Sequence, residues 1–361
     1  MTVLGVVALI AGFLLMPQRT WIDLLLASNF LIGLGLGGLL LVALLYVTSA
    51  RWSLPVRRVP EAMTAALPVA AIGLAAVLVC CPSLYSGQTP SEVSESPLHR
   101  IWLNRPFFLA RSLVYFALWI GFAVAIVTNS RRQDTDRTPG PTQTNYRLSA
   151  LFLVVFGVTC WLASIDWLMS LEPNWASTMF AVYNFAGLFL SALAAVIILV
   201  VWLWWQGPLR STVNENHFHD LGTLLFAFSS FWMYTWYCQY MLIWYVNNPE
   251  ETSYYRLRSQ GYWPVWLFVA LALNWAVPFV VLLFRSAKRN PWLLAMVALL
   301  VLVGRWVDLS LMILPTQAAA SPLPGLLDAG LLLGTVGVFV LVVYLSLRKA
   351  PLVPLQGPLQ V

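Results

Sequence analysis

Apolar stretches of membrane length follow one another along almost the whole chain, and this feature restricts the fold more than any other. A helix needs about 20 apolar residues to cross the hydrocarbon core of a bilayer. The 361 residues are 60% hydrophobic and 9% charged, whereas soluble domains carry about 25% charged residues. The sequence therefore predicts a polytopic membrane protein. Its net charge of +6 is interpreted as a topology signal and not as a nucleic-acid-binding surface.

The apolar pattern divides into ten candidate spans, and we expect no cleavable signal peptide before them. These spans are residues 1–16, 21–49, 61–81, 105–128, 147–172, 177–205, 219–247, 262–285, 291–315 and 325–348. Between the spans, thirteen Lys and Arg residues fall on one side of the membrane and five on the other. Since positive loops stay in the cytoplasm, this asymmetry predicts that both termini are cytoplasmic.

Two of the spans end in the same way. Asp166 and Asp308 each lie seven residues before a proline, Pro173 and Pro315, in otherwise apolar surroundings. An ionisable group inside a bilayer is costly and by default suggests a functional site. The matching positions therefore suggest a duplicated bundle with a polar site in each half.

A second pair of matching features supports a duplication. Asn29-Phe30 begins a run of small residues in the second span, and Asn184-Phe185 does so in the sixth. Corresponding spans then run in the same direction, as in a parallel repeat. We predict an all-α integral membrane protein with about ten transmembrane helices and two pseudo-symmetric four-helix bundles. The predicted units are the short first span and turn (1–20), the bundles (21–172 and 177–315), a flanking tenth span (325–348) and a Pro/Leu-rich tail (349–361).

Four ionisable residues share one predicted depth. Arg111, Asp166 and Asp308 each lie six or seven residues from the outer end of a span, which places them about 10 Å below the outer surface, and Arg305 lies near that depth on the same span as Asp308. Arg305 and Asp308 are three residues apart and can pair on one helix face, while Asp166 has no partner nearby in the sequence. Such groups can form a proton path or hold a polar head group, or they can neutralise one another as structural ion pairs.

Further polar residues lie at a similar depth, nearer the middle of the membrane and at its inner side. Gln239 and Tyr240 reach a similar depth from the seventh span, and Asn274 lies nearer the midplane. At the inner start of the seventh span, His219 and Asp220 can collect protons near neutral pH. The alternative for this inner group is a helix cap at the membrane interface.

The sequence contains no recognisable motif for a metal cofactor. It has no C-x-x-C motif, and its three histidines, His99, His217 and His219, all lie near loops. A b-type haem needs facing histidines inside the membrane, so we expect no haem and no metal bound by this chain.

Three longer stretches resemble a known family. They are SIDWLMSLEPNWASTM (164–179), HDLGTLLFAF (219–228) and QYMLIWYVNNPEET (239–252). They resemble the second of the two large membrane subunits of bacterial alternative complex III, in the polysulfide-reductase membrane-anchor (NrfD/PsrC-like) family. The resemblance implies an inner-membrane assembly, respiratory or photosynthetic, that oxidises quinol and passes electrons to a periplasmic acceptor.

The resemblance also implies partners. These are a sister membrane subunit with the main quinol site, an iron–sulfur subunit, subunits with c-type haem, and lipids, but no nucleic acid. In that family the large membrane subunits carry no metal cofactor, so catalysis by this chain alone is not expected.

Four functions remain open at this point. The first is a cofactor-free subunit with a proton path, whose residues are Asp166, Arg305, Asp308, His219 and Asp220. The second is a quinone-binding subunit with a pocket on the periplasmic side, whose residues are Arg111, Asp166, Gln239, Tyr240 and Asn274. The third is a secondary transporter, and the fourth is a structural scaffold.

Overall fold

The computed structural model describes residues 1–88, 101–134, 140–172, 175–316 and 326–353. Helices account for 85% of it, and no strand occurs in the described ranges. The predicted all-α class is therefore confirmed. His99, Pro173 and the tail beyond residue 353 lie outside the described residues.

The helices vary widely in length, and one of them is interrupted by a π-helical turn. In chain order they are α1 (Thr2–Leu15), α2 (Pro17–Val47), α3 (Arg58–Met63), α4 (Ala66–Cys80), α5 (Arg105–Arg132), α6 (Gly140–Trp167), α7 (Phe180–Trp205), α8 (Glu215–Val246), α9 (Pro249–Arg258), α10 (Trp263–Leu271), the π-helical turn (Ala272–Ala276), α11 (Val277–Leu282), α12 (Arg285–Arg289), α13 (Pro291–Ile313) and α14 (Leu326–Leu347).

Eight helical segments of the described chain are long and apolar enough to cross a membrane, by length and composition. They correspond to the second to sixth and the eighth to tenth predicted spans, and they indicate a multi-pass membrane protein. The first predicted span is the 14-residue helix α1, which is short for a crossing. The seventh is α8, with 32 residues, whose many Trp and Tyr side chains lower its mean hydropathy.

The centre of the protein is formed by α2 and α7. In their most apolar windows, 89% of the α2 residues and 83% of the α7 residues are buried. The two helices pack against each other, α2 also contacts α4 and α6, and α7 also contacts α8 and α13. These two helices are the second and sixth predicted spans, the pair related by the proposed repeat. The repeat itself and the two-bundle arrangement stay predictions.

Two predicted spans are interrupted. The third is divided into α3 and α4 at Thr64 and Ala65, and the eighth contains the π-helical turn around Asn274. Pro278 explains the second interruption, because proline has no N–H to donate to the carbonyl four residues earlier. That carbonyl belongs to Asn274, and the hydroxyl of Ser229 on α8 donates to it at 2.7 Å.

Candidate functional site

Asp166 lies fully buried near the end of α6, and both of its carboxylate oxygens accept hydrogen bonds. Arg111 on α5 donates from Nε to Oδ2 at 3.1 Å and from Nη2 to Oδ1 at 2.9 Å. Tyr115 donates to Oδ2 and Trp102 Nε1 to Oδ1, each at 2.9 Å. A two-pronged Arg–carboxylate contact of this kind is the strongest ion-pair geometry in proteins.

Asp166 has no partner nearby in the sequence, and the structure supplies one from another helix. Its partner, Arg111, comes from the neighbouring helix at the depth that the sequence assigned to both residues. The Arg111 guanidinium also lies over the Trp102 ring, with Cζ 4.0 Å from the ring centroid. Sequence reasoning did not identify Tyr115 or Trp102 as part of this centre.

Asp308 forms the second centre and is also fully buried. Arg305 Nη1 donates to its Oδ2 at 2.6 Å, so the predicted pair on one helix face is confirmed. Tyr183 on α7 donates its hydroxyl hydrogen to Oδ1. Trp232 on α8 donates to Oδ2 over a longer distance, 3.4 Å. Each aspartate is thus surrounded by one arginine, one tyrosine and one tryptophan.

The two centres differ in how firmly the arginine is held. Arg111 contacts both oxygens of Asp166, whereas Arg305 contacts one oxygen of Asp308 and gives its other arm, Nη2, to Asn184 Oδ1 at 2.5 Å. Asn184 Nδ2 in turn donates to Ser164 Oγ on α6 at 3.0 Å. A continuous polar chain therefore runs from Asp308 to the helix that carries Asp166.

Gly187 creates the space for Arg305. A Cβ atom at this position would lie 2.3 Å from Arg305 Nη1. Beside it is a small cavity of about 20 Å³ whose lining includes Asn29, Ser164, Asn184 and Arg305, which is large enough for one water molecule. The two asparagines of the proposed repeat thus lie beside the same cavity.

Gln239 and Tyr240 line a different and much larger space. It is an open cleft of about 530 Å³ formed by α8, α9, α10 and α13, and its lining also includes Tyr183. Gln239 is 2% exposed, and its Oε1 has no hydrogen-bond partner among the described residues. Since Tyr183 contacts both the cleft and Asp308, it connects the two.

The predicted five-residue quinone pocket is not assembled in one place. Arg111 and Asp166 belong to the first centre, Gln239 and Tyr240 to the cleft, and Asn274 to the π-helical turn. Asn274 is buried, donates from Nδ2 to the Ala270 carbonyl at 3.0 Å, and has an Oδ1 without a partner in the described chain.

The inner polar group is partly a helix cap. Asn214 caps α8 and forms reciprocal hydrogen bonds with His217, as the capping alternative predicts. His219 Nδ1 lies 3.6 Å from Asp220 Oδ1, and these side chains are 30% and 43% exposed. Trp232 lies thirteen positions after His219 on α8, a rise of about 20 Å. The inner group therefore does not contact the Asp308 centre.

Sequence reasoning also missed a buried arginine beside the cleft. Arg258 donates to Glu172 Oε1 at 2.7 Å and to the Leu311 carbonyl at 2.8 Å, and its Cζ lies 3.3 Å from the centroid of the Tyr254 ring. Burial raises the pKa of Tyr254 to about 12, so its hydroxyl stays neutral at physiological pH. The sequence placed Arg258 in a loop, where it gave no signal of burial.

The fold and the site define a class: a helical, multi-pass membrane protein with two buried Asp–Arg–Tyr–Trp centres. Within the described ranges, no group of three or more His, Cys, Asp or Glu residues could hold a metal ion. No protein-family model matches the chain, and no curated protein matches it.

Proposed function

We propose that this chain is a cofactor-free membrane subunit of a bacterial quinol-oxidising complex of the alternative complex III type, located in the cytoplasmic membrane with both termini inside. Three sequence stretches that resemble the second large membrane subunit of that complex support the proposal. The eight apolar helices and the two buried carboxylates are compatible with it. Its contribution would be a proton path and support for the neighbouring redox subunits.

The observation that supports the proton path is that Arg305 binds Asp308 with one arm of its guanidinium and Asn184 with the other. Arg305 already gives Nη2 to Asn184 while Nη1 holds one oxygen of Asp308. If the guanidinium turns toward Asn184, Asp308 loses a single charge-assisted bond and can accept a proton. A carrier group must alternate between charged and neutral forms, and a carboxylate held by one arm alternates more easily than one held by two.

Asp166 takes the structural role in this proposal. Arg111, Tyr115 and Trp102 occupy both of its oxygens. Removing one partner from such a buried ion pair leaves an uncompensated charge and is strongly destabilising. The sequence predicted both aspartates as members of the proton path, whereas the contacts favour Asp308 as the carrier.

A route toward the inner side follows α8. His219 and Asp220 lie at its exposed start, and Ser229 lies between them and Trp232, bonded to the Asn274 backbone. The unpaired Oδ1 of Asn274 offers an acceptor on this path within the described structure. Water would have to complete the connection, since the two ends are about 20 Å apart.

The test is Asp308→Asn in the intact complex, with proton release and quinol turnover measured after assembly is verified. We expect a smaller loss of assembly than for Asp166→Asn, because Arg305 keeps its bond to Asn184. Proton release should fall to the two protons that each quinol oxidation itself yields, since an amide does not carry a proton at physiological pH. Asp166→Asn should instead reduce the amount of assembled complex. Glu250→Gln, at an exposed position of α9, is the matched control and should change neither.

Unchanged proton release and turnover in Asp308→Asn would contradict the proton path, and the remaining role for this chain would be that of a structural scaffold. If the tagged chain purified with no iron–sulfur or haem subunits, its membership in such a complex would be wrong.

A further inference from the structure

We propose that the C-terminal ends of α5 and α14 form a binding site for the head group of an anionic phospholipid. The site lies at the end of the helices that the charge asymmetry of the loops assigns to the cytoplasm. Its components are a notch lined by Arg131 and Ser346, a cluster of positively charged side chains around the notch, and an apolar helix surface next to it. The inference depends on the membrane location of the chain and not on the redox role proposed above.

Arg131 is held in position by the neighbouring helix. It lies in the last turn of α5 and donates from Nη2 to the Ser346 hydroxyl at 3.1 Å and to the Ser346 carbonyl at 3.3 Å. These two bonds connect α5 with α14, and both helices also pack on α4. A guanidinium that is already fixed loses less conformational freedom when it binds an anion than a mobile one does.

Beside this contact is a small notch between α3, α5 and α14. Its volume is about 10 Å³, and its lining includes Arg58, Arg131, Ser346 and Pro351. This is about the space of one water-sized group, so a single phosphate oxygen fits while the rest of a head group stays outside. Arg131 is only partly buried, so it can contact a ligand from the surface.

Positive charge exceeds negative charge around the notch. Glu61, which also lines it, accepts from Arg58 Nη1 at 2.8 Å and forms an ion pair with Arg57, while Asp134 accepts from Arg58 Nη2. Two arginines therefore balance these two carboxylates inside the protein. The cations at this end that form no ion pair with a described residue are Arg131, Arg132, Arg348 and Lys349.

The helix surface next to these cations is apolar and exposed. On the last turns of α14, Leu341 and Tyr344 are each 47% exposed and Leu345 is 48% exposed. Clusters of Lys and Arg at the cytoplasmic end of membrane helices bind anionic head groups, whose acyl chains then lie along the helices. A soluble acidic partner would neutralise the cations but would not contact the apolar surface. The combination therefore favours a phospholipid.

The experiment is photo-labelling of the tagged chain, purified with any subunits that accompany it, in phosphatidylcholine nanodiscs. The probe is a phosphatidylglycerol with a diazirine in one acyl chain, added at increasing mole fraction. We expect saturable labelling of peptides that contain Leu341, Tyr344 or Leu345. Arg131→Gln should weaken the labelling affinity about tenfold, the usual value of a hydrogen bond to a charged group. The control Arg285→Gln removes an exposed arginine of α12, which packs on other helices, and should label like the unchanged chain.

A double variant, Arg348→Gln with Lys349→Gln, tests the charge cluster without disturbing the bond between α5 and α14. Neither side chain forms a hydrogen bond or an ion pair within the described ranges, so the fold should be unchanged. We expect weaker labelling here too, and this result decides the matter if Arg131→Gln fails to assemble.

Four results would overturn the proposal. They are labelling that does not saturate, equal labelling by a phosphatidylcholine probe with the same diazirine chain, equal affinity in the cluster variants and in Arg285→Gln, and displacement of the probe by inorganic phosphate alone, which would indicate a site for a free anion. The labelling requires no turnover, so its outcome is independent of proton release in Asp308→Asn.

Discussion

The lack of a side chain at Gly187 gives the guanidinium of Arg305, on helix α13, room to lie against α7. A Cβ atom here would lie 2.3 Å from Arg305 Nη1 and 2.9 Å from its Cζ. Asp308 and Asn184 hold the two arms of the guanidinium, so moving it away from an added Cβ atom would strain or break at least one of these bonds. We expect Gly187→Ala to lower the free energy of unfolding by about 1–3 kcal/mol, the usual cost of overpacking a tight core. Detergent-titration unfolding of the purified chain measures it.

The matched control for this prediction is Gly157→Ala on α6. A Cβ atom there has no neighbour within 4 Å among the described residues, so the change adds helix propensity without a clash. Equal stability of the two variants would contradict the prediction. It would mean that Arg305 and its hydrogen bond to Asn184 can rearrange with little loss of stability.

The side-chain pairs were predictable to different extents. Arg305 and Asp308 are three residues apart, and helix periodicity alone brings them together. Arg111 and Asp166 could be matched only by depth, since no local rule connects residues on different helices. Tyr183 and Trp232 gave no signal as ligands of Asp308, because aromatic side chains in a membrane segment usually indicate packing.

At the scale of a helix, the π-helical turn between α10 and α11 is stabilised by a hydrogen bond from the neighbouring helix α8. Pro278 leaves the Asn274 carbonyl without its α-helical donor, and Ser229 Oγ replaces that donor. We expect Ser229→Ala to cost about 1–3 kcal/mol, the range for a buried acceptor left unpaired. In the Pro278→Ala background the cost should shrink, because the new N–H can bond to the carbonyl. A double-mutant cycle of unfolding free energies measures this coupling.

Ser230→Ala is the neighbouring control. Ser230 Oγ donates to the Phe226 carbonyl within its own helix, a local bond whose loss leaves the helix hydrogen bonds intact. If Ser229→Ala costs no more than Ser230→Ala, or if Pro278→Ala does not reduce its cost, the hydroxyl is not the replacement donor.

The elements themselves followed from hydropathy, while their interruptions did not. Long apolar windows predicted each of the eight helical segments in the described residues that are long and apolar enough to cross a membrane. The division of the third span at Thr64 and the π-helical turn at Asn274 depend on tertiary partners such as Ser229, which no sliding window includes. Pro278 marked the second region, but a proline alone does not distinguish a kink from a π-helical turn.

In the whole molecule, the two aspartate centres have the same kinds of partner from different sources. Around Asp166, the arginine and the tyrosine both come from α5. Around Asp308, the arginine comes from the same helix and the tyrosine from central α7. The predicted equivalence of the two aspartates therefore does not extend to their partners. Asp166 is therefore held at both oxygens by Arg111. Asp308 is instead connected to the cleft through Tyr183 and to α6 through Arg305 and Asn184.

The largest contact between the predicted halves is the crossing of α2 and α7, and a pair of glycines on α2 can test it. A Cβ atom at Gly37 would lie 2.4 Å from Ala192 Cβ, whereas at Gly33 the nearest atom is 3.7 Å away. Ala192 Cβ is fixed to its helix, so Gly37→Ala must push the two helices apart.

We expect Gly37→Ala to lower the unfolding free energy by about 1–3 kcal/mol and Gly33→Ala to leave it unchanged or raise it slightly, since alanine favours a helix. Parallel unfolding titrations with tryptophan fluorescence compare the two. Separation of α2 and α7 should also move Asn184, and with it the arm of Arg305 that allows Asp308 to accept a proton. Gly37→Ala should therefore reduce proton release in complexes that still assemble, while Gly33→Ala should not. An equal response of the two variants would mean that this crossing does not set the geometry of the Asp308 centre.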